Sequence, residues 1–102
     1  MASSLASARK RKFQREQNRR TAAHLQRNIE YFERLAAGLN LEIRAEEEST
    51  RISDPNHVAY SMFAKAVRAR RDNLLRSRDE LSLHLQSILA ALEEPFDGQR
   101  VA

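Results

Sequence analysis

The sequence RISDPNH, residues 51–57, lies at the midpoint of the 102-residue chain and separates two long segments with helical patterning. Proline loses a hydrogen bond inside a helix but fits the first helical position, where an N–H needs no partner. Asp54 precedes Pro55 and has the short carboxylate that accepts from orphan N–H groups, so we predict that it is the N-cap of a second helix. The stretch therefore predicts a corner at residues 50–54 of a helical hairpin. The alternative is a kink in one long helix.

Two stripes of mostly apolar residues, one on each side of this corner, repeat at steps of four and three residues. Such spacing keeps one face of a helix against a partner helix. The stripes are Asn18, Ala22, Leu25, Ile29, Phe32, Ala36, Leu39 and Ile43, and then Tyr60, Ala64, Val67, Arg71, Leu74, Arg78, Leu81, Leu85, Ile88 and Leu92. One antiparallel register aligns both stripes, with Ile43 facing Tyr60 and Ala22 facing Leu81. A competing phase at the start of the second stripe uses Ala59, Phe63 and Ala66.

We therefore predict an all-α fold, an antiparallel two-helix coiled-coil hairpin with a Ser-Asp-Pro corner. The expected segments are a frayed N-terminus (1–7), a first helix (about 8–49), a second helix (about 55–94) and a flexible C-terminal tail (95–102). Arms of some 40 residues give a rod roughly 60 Å long. Burial of one stripe per helix only narrowly offsets the entropy lost on ordering the chain, which favours a partner or self-association.

The composition argues against several classes of function. The chain has no cysteine, hence no disulfide or thiolate chemistry, and no apolar run near the ~20 residues of a membrane span. The Ser- and Arg-rich start is compatible with a transit peptide, although its basic residues run directly into the helical pattern. His24, His57 and His84 lack metal-ligand spacing, and the two glycines cannot form a phosphate loop. We predict no catalytic residue, no cofactor, no metal and no small-molecule substrate.

Charge is distributed unevenly along the first arm. Residues 1–27 contain eight basic residues and one acidic residue, whereas residues 28–54 contain three basic and seven acidic ones. Positive charge at a helix N-terminus and negative charge at its C-terminus both oppose the macrodipole. Two interpretations of these charges therefore stay open: they bind a partner, or they form an ordinary solvated face. The acidic candidate is the run at residues 46–48. The basic partner-binding candidates are Arg9, Lys10, Arg11, Lys12 and Arg15.

Apolar residues outside the stripes suggest a second contact surface near the corner. Val58 and Met62 are four residues apart and are expected to share one helix face, where they either bind a partner or close over the turn. The partner-binding candidates at this end are Leu41, Asp54, His57, Tyr60 and Met62.

Two arginines, Arg71 and Arg78, occupy positions of the second stripe where aliphatic residues would pack better. Polar residues in such positions set the register of a helix pair at a cost in stability. Glu30 and Glu33 on the facing arm are the expected counter-charges.

The corner and the segment after it resemble a known family. The matching residues are Ile52-Ser53-Asp54-Pro55-Asn56-His57-x-Ala59-Tyr60, Ala64-Lys65-Ala66, Arg70-Arg71-Asp72-Asn73-Leu74 and Ser77-x-Asp79-Glu80-Leu81. They resemble the short alphaproteobacterial form of the flagellar export protein FliJ family, and the resemblance spans roughly residues 13–94. Many relatives continue the second helix with an acidic and lysine-rich extension, whereas this chain continues with Pro95-Phe96-Asp97-Gly98.

The resemblance implies a cytoplasmic coiled-coil rod, peripheral at the flagellar type III export apparatus and similar to the central stalk of rotary ATPases. It implies chaperone-like partners: the export ATPase, the export-gate membrane protein and export chaperones. One alternative is a basic leucine-zipper-like nucleic-acid-binding protein, whose basic region enters the major groove and whose zipper dimerises in parallel. Pro55 and the matched second stripe favour intramolecular pairing instead. Another alternative is a plain structural coiled coil or a dimeric four-helix bundle.

Overall fold

The chain folds into an antiparallel pair of helices. The computed structural model describes the backbone of residues 2–94 and the side chains of residues 4–94. Helix α1 spans Ala2–Thr50 and helix α2 spans Met62–Glu93, and residues 51–61 form the corner between them. The molecule measures 74 × 19 × 17 Å, and its long dimension matches about 1.5 Å of rise per residue along α1. The all-α hairpin predicted from the two stripes is confirmed.

The two helices differ in length, although the sequence predicted arms of similar length. Helix α1 begins at Ala2, so it includes most of the segment that was predicted to be frayed, and the rod exceeds the predicted length of roughly 60 Å. Helix α2 begins at Met62, about two turns after the predicted start at Pro55. The predicted flexible tail, residues 95–102, lies outside the described residues.

The late start of α2 follows from hydrogen bonds within the corner. The Oδ1 atom of Asp54 accepts from the backbone N–H of Asn56 at 2.9 Å, and the carbonyl of Asp54 accepts from the N–H of His57 at 3.0 Å. The carbonyl of His57 then accepts from the N–H of Tyr60 at 3.0 Å. These bonds form successive turns, for which Asp-Pro is as well suited as for a helix start. The prediction that Asp54 caps α2 was therefore wrong, because its carboxylate caps a turn.

Ser61 is the N-cap of α2. Its Oγ accepts a hydrogen bond from the N–H of Ala64, three residues on, at 3.1 Å, and donates one to Oε1 of Glu46 at 2.9 Å. At the opposite side of the corner, Arg51 has a φ of 60°, the left-handed conformation that commonly ends a helix. One hydroxyl thus determines where α2 begins and holds that point against α1.

The core of the rod is the seam, which we define as the two stripes identified in the sequence. The buried side chains are Ala22, Leu25, Ile29, Ala36 and Ile43 of α1, Tyr60 of the corner, and Ala64 and Val67 of α2. Every one of them is a stripe residue. The competing phase is wrong, because Ala59, Phe63 and Ala66 are all exposed. Helix α2 buries its seam residues only near the corner, and those further along it are half-buried.

Contacts across the seam are offset by about one turn from the pairs that the stripes align. In the aligned register Ser61 lies opposite Glu42, yet it bonds to Glu46. Likewise Leu92 lies opposite Arg11, yet its carbonyl accepts from Arg15 at 3.0 Å. Side chains of a helix lean toward its N-terminus, so in an antiparallel pair they reach past the residue directly across. This lean accounts for the direction of the offset.

Candidate functional site

At one end of the rod, which we call the base, α1 continues past the end of α2. The guanidinium of Arg15 marks the level, since it donates to the carbonyls of Leu92 at 3.0 Å and Glu94 at 3.2 Å. Because the Arg15 side chain leans toward the N-terminus of α1, α2 ends near the level of Arg11, and the α1 residues before Arg11 extend beyond it by roughly 13 Å. Residues 9–12, the basic segment, lie where this extension begins and are exposed.

The basic segment is electrostatically unfavourable for α1 itself. Positive charges near a helix N-terminus oppose the macrodipole, and the described first turn of α1 has no acidic residue to compensate. Four adjacent side chains, Arg9, Lys10, Arg11 and Lys12, place this charge in little more than one turn. Such an arrangement is suited to a partner surface rich in carboxylates or phosphates.

Arg15, the fifth basic candidate, has a role inside the hairpin. It is half-buried, and its two hydrogen bonds satisfy carbonyls at the C-terminus of α2. A cation is favourable there because it complements the negative end of the helix dipole, and the last turn of α2 has no basic residue of its own. Arg15 thus provides the cation that the last turn of α2 lacks in its own sequence.

At the other end, which we call the tip, the acidic run contributes mainly to the fold. Glu46 accepts from Ser61, and Oε2 of Glu47 accepts from the Tyr60 hydroxyl at 2.7 Å and lies 3.9 Å from the Arg68 guanidinium. Both glutamates are half-buried, and only Glu48 of the run is exposed. Burial, together with the hydrogen bond to Glu47 and its negative charge, raises the pKa of the Tyr60 phenol above its usual value.

A shallow polar pocket of about 310 Å³ lies on the outside of the tip. Its lining residues are Arg44, Glu47, Glu48, Arg51 and Ser53. Two guanidinium groups balance two carboxylates in this set, so the pocket has no net charge. The tip is therefore a weaker acidic surface than the number of its glutamates indicates.

Three of the candidates at the tip belong to the corner, and the structure uses each of them locally. Asp54 forms the turn described above, and Nδ1 of His57 accepts from the N–H of Ala59 at 3.0 Å. Both residues are exposed. Tyr60 is only 6% exposed and lies in the seam, so its ring is not accessible to a partner.

The apolar candidates at the tip do not form one surface. Leu41 and Met62 are 64% and 78% exposed, but each lies two residues before a buried seam residue, Ile43 or Ala64. A step of two residues turns a helical side chain to the far side, so Leu41 and Met62 occupy opposite outer faces of the rod. Val58 is fully exposed in the corner, before α2 begins. The prediction that it shares a helix face with Met62 was wrong.

The two seam arginines contact the facing helix. Arg71 donates to Oδ1 of Asn40 at 2.9 Å, and Arg78 lies 3.4 Å from Oε2 of Glu33. Glu33 is therefore the counter-charge predicted from the sequence, whereas Glu30 accepts from Gln26, four residues earlier on its own helix. Both arginine contacts lie on the same side of the rod.

Sequence reasoning missed an open groove on the opposite side. It has a volume of about 330 Å³ and is lined by Leu35, Leu39, Arg70, Asn73, Leu74 and Ser77. Leu35 lies one residue before the seam residue Ala36 and remains 39% exposed. The available signal was the scarcity of charge at the positions that immediately precede the seam residues in each helix.

Within residues 4–94, the structure contains no group of at least three His, Cys, Asp or Glu side chains that could hold a metal ion. Neither described helix combines the length and apolar character that crossing a bilayer requires. The face that a parallel zipper would use, including Leu25, Phe32 and Leu39, packs against α2 in this hairpin.

The resemblance to the flagellar export family stays a prediction from the residues, because no family model, curated protein or solved structure matches the chain.

Proposed function

We propose that this chain is a non-enzymatic rod of the flagellar type III export apparatus, which couples the export ATPase to the export gate. The sequence resemblance between residues 52 and 81 supports the pathway. The position of the basic segment supports the mode of action, and this observation carries the proposal: four exposed cations lie on α1 where α2 ends and α1 continues alone.

The geometry of the base favours docking into a recess. A single helix with side chains is about 10–12 Å across, whereas two packed helices are roughly twice as wide in one direction, since their axes lie about 8–10 Å apart. The extension is thus able to enter an opening that excludes the rest of the molecule. Its charge selects an opening lined by carboxylates, and the attraction guides the approach.

The paired part of the rod would transmit movement from the base to the tip. Arg15 joins the two helices at one end, and the Ser61–Glu46 and Tyr60–Glu47 hydrogen bonds join them at the other. With both ends tied, the hairpin moves as a unit. The exposed corner, including Asp54, His57 and Val58, is then the surface offered to an export-gate protein or an export chaperone.

A retention assay on immobilised export ATPase tests the base. The test variant reverses the basic segment (R9E/K10E/R11E/K12E). The matched control reverses four exposed arginines of α1 that lie alongside α2 (R20E/R27E/R34E/R44E), so that both variants change the net charge equally. We expect the test variant to lose retention and the control to keep most of it.

Loss of folding would not explain this result. Negative charge near the N-terminus of α1 complements the macrodipole, so the test variant should be at least as helical as wild type by circular dichroism. Equal retention of wild type and test variant would remove the ATPase from the proposal. A sequence-specific duplex DNA complex that survives physiological salt would replace it with the zipper alternative.

A further inference from the structure

The groove lined by Leu35, Leu39, Arg70, Asn73, Leu74 and Ser77 is bordered by two rows of residues, one on each helix. Each row repeats at steps of four and three, so each follows one face of its helix alongside the seam. The α1 row consists of Gln17, Thr21, His24, Asn28, Tyr31, Leu35, Gly38, Glu42 and Ala45. The α2 row consists of Phe63, Ala66, Arg70, Asn73, Ser77, Glu80, His84, Ser87 and Ala91. We call these two rows and the groove between them the charge-poor face.

The name reflects a strong segregation of charge. Only Glu42, Arg70 and Glu80 are charged among the 18 residues of the two rows. The outward faces of the helices have the opposite character, with 12 charged residues among 20. Those 20 residues are Glu16, Arg20, Ala23, Arg27, Glu30, Arg34, Ala37, Leu41, Arg44 and Glu48 of α1, and Met62, Lys65, Ala69, Asp72, Arg76, Asp79, Leu83, Gln86, Ala90 and Glu93 of α2.

The charge-poor face also contains exposed aromatic and aliphatic side chains. Tyr31 and Phe63 are 51% and 55% exposed, and Leu35 is partly exposed at the groove. Gly38 lies beside Leu39, and a Cβ built at Gly38 would meet nothing within 4 Å. Helix α2 therefore does not require the glycine, and the space outside it is open to another helix.

The exposed area of the whole chain is large for its mass. A compact monomer of 11.8 kDa exposes about 5,900 Å² by the usual scaling with mass, whereas this chain exposes 7919 Å². The excess of about 2,000 Å² is more than the ~800 Å² that each partner buries in a standard protein interface. One such interface per chain is therefore available without unfolding any part of the rod.

We propose that the charge-poor face is an interface with a second copy of this chain, which forms a four-helix dimer. The near absence of charge means that two such faces approach without repulsion and without strongly charged groups to desolvate. Arg70 and Glu80 lie ten residues apart on α2, on either side of Ser77 in the groove lining. A twofold axis perpendicular to the rod and passing near the groove brings Arg70 of each copy opposite Glu80 of the other. This inference does not depend on the partner proposed at the base.

Sedimentation equilibrium of the purified full chain, over a range of concentrations, tests the dimer. Leu35→Glu places a charge in the groove, and Leu41→Glu is its matched control on the outward face of the same helix. We expect Leu35→Glu to raise the dissociation constant of the dimer at least about tenfold and Leu41→Glu to change it by less than about twofold. Gly38→Arg should weaken the dimer while leaving the monomer folded, because the space around Gly38 within the chain is open.

A charge exchange tests the proposed symmetry. Arg70→Glu and Glu80→Arg should each weaken the dimer, and the double variant should restore it, because in a twofold arrangement both contacts are reversed together. A wild-type chain that remains monomeric at about 100 μM would overturn the proposal. A dimer that responds to Leu41→Glu as strongly as to Leu35→Glu would place the interface elsewhere and overturn it as well.

Discussion

Substitution of Ser61 by alanine should destabilise the hairpin more than substitution of Asp54 by alanine, although the sequence marks Asp54 as the helix cap. Ser61 supplies two interactions through one oxygen: it accepts from the N–H of Ala64 at 3.1 Å and donates to the Glu46 carboxylate at 2.9 Å. Asp54 supplies a single bond, to the N–H of Asn56 in an exposed turn. The structure therefore ranks the two substitutions in the opposite order to the sequence prediction.

The magnitudes follow from these contacts. Loss of a serine N-cap costs about 1 kcal/mol. The bond to Glu46 adds about 0.5–1 kcal/mol, because the carboxylate is half-buried and water recovers part of the interaction. Ser61→Ala should thus lower the free energy of unfolding by roughly 1.5–2 kcal/mol, which is a decrease in melting temperature of roughly 6–16 °C for a chain of this size. Asp54→Ala should cost about 0.5 kcal/mol.

The assay is urea unfolding followed by helical circular dichroism at a fixed protein concentration. Ser61→Thr, which keeps the hydroxyl, is the conservative control and should lose less than half as much as Ser61→Ala. A double-mutant cycle with Glu46→Ala isolates the contact between the helices, for which we expect a coupling of about 0.5–1 kcal/mol. If Asp54→Ala costs as much as Ser61→Ala, then α2 begins at the Asp-Pro step and our account of the corner is wrong.

Three further predictions concern single residues. Arg78→Leu should raise the free energy of unfolding by about 1 kcal/mol in urea titrations, because the site is half-buried in the seam and the exposed ion pair with Glu33 contributes little; a decrease in stability would show that the pair matters more. Arg51→Gly should raise the melting temperature by a few degrees, since a φ of 60° costs a non-glycine residue about 1 kcal/mol, and an unchanged value would show that the conformation is not strained. The stability due to the neutral Tyr60 phenol should be fully present below its ordinary pKa of 10.0 and be lost as pH rises through the raised pKa of the folded state. Urea titrations in that pH window should show a steeper decline for wild type than for Tyr60→Phe, and parallel declines would contradict the raised pKa.

The seam could be predicted from the sequence because burial imposes a period on it. The residues that one helix buries against another recur at steps of four and three, so the stripe can be recognised within each helix without knowledge of its partner. All eight buried side chains follow this spacing, including Tyr60, which precedes the first residue of α2. The hairpin follows because two such stripes flank a stretch that cannot continue a helix.

The start of α2 could not be predicted because Asp-Pro has two uses. Asp followed by Pro suits the beginning of a helix, and it equally suits the first two positions of a β-turn. The choice depends on Ser61, whose hydroxyl reaches Glu46 fifteen residues earlier in the chain. Such a contact exists only once the hairpin has closed, so local signals did not reveal it.

The candidate surfaces were predicted unevenly for the same reason. The basic segment could be identified from the sequence alone, because its four charged residues follow one another in the chain. The roles of Arg15, Glu46 and Glu47 depend on where the other helix begins or ends. Counting charges along one arm therefore overestimated the tip as a docking surface and assigned to Arg15 a partner outside the chain.

The two proposed interfaces constrain each other when they are considered together. If Arg70 pairs with Glu80 of the second copy, the twofold axis crosses the rod near the level of Leu75, midway between them, and the two copies run in opposite directions. Their basic segments then lie on opposite sides of the axis, roughly 50 Å apart, because Leu75 aligns with Asn28 and each basic segment is about 17 helical residues from that level. One dimer therefore presents a single basic segment at each end, so that only one of them is able to enter a given recess of the partner. A dimer with its axis along the rod would place both basic segments side by side, but it would bring Arg70 close to the second copy's Arg70. The charge exchange at Arg70 and Glu80 thus distinguishes a rod that binds its partner singly from one that binds it in pairs.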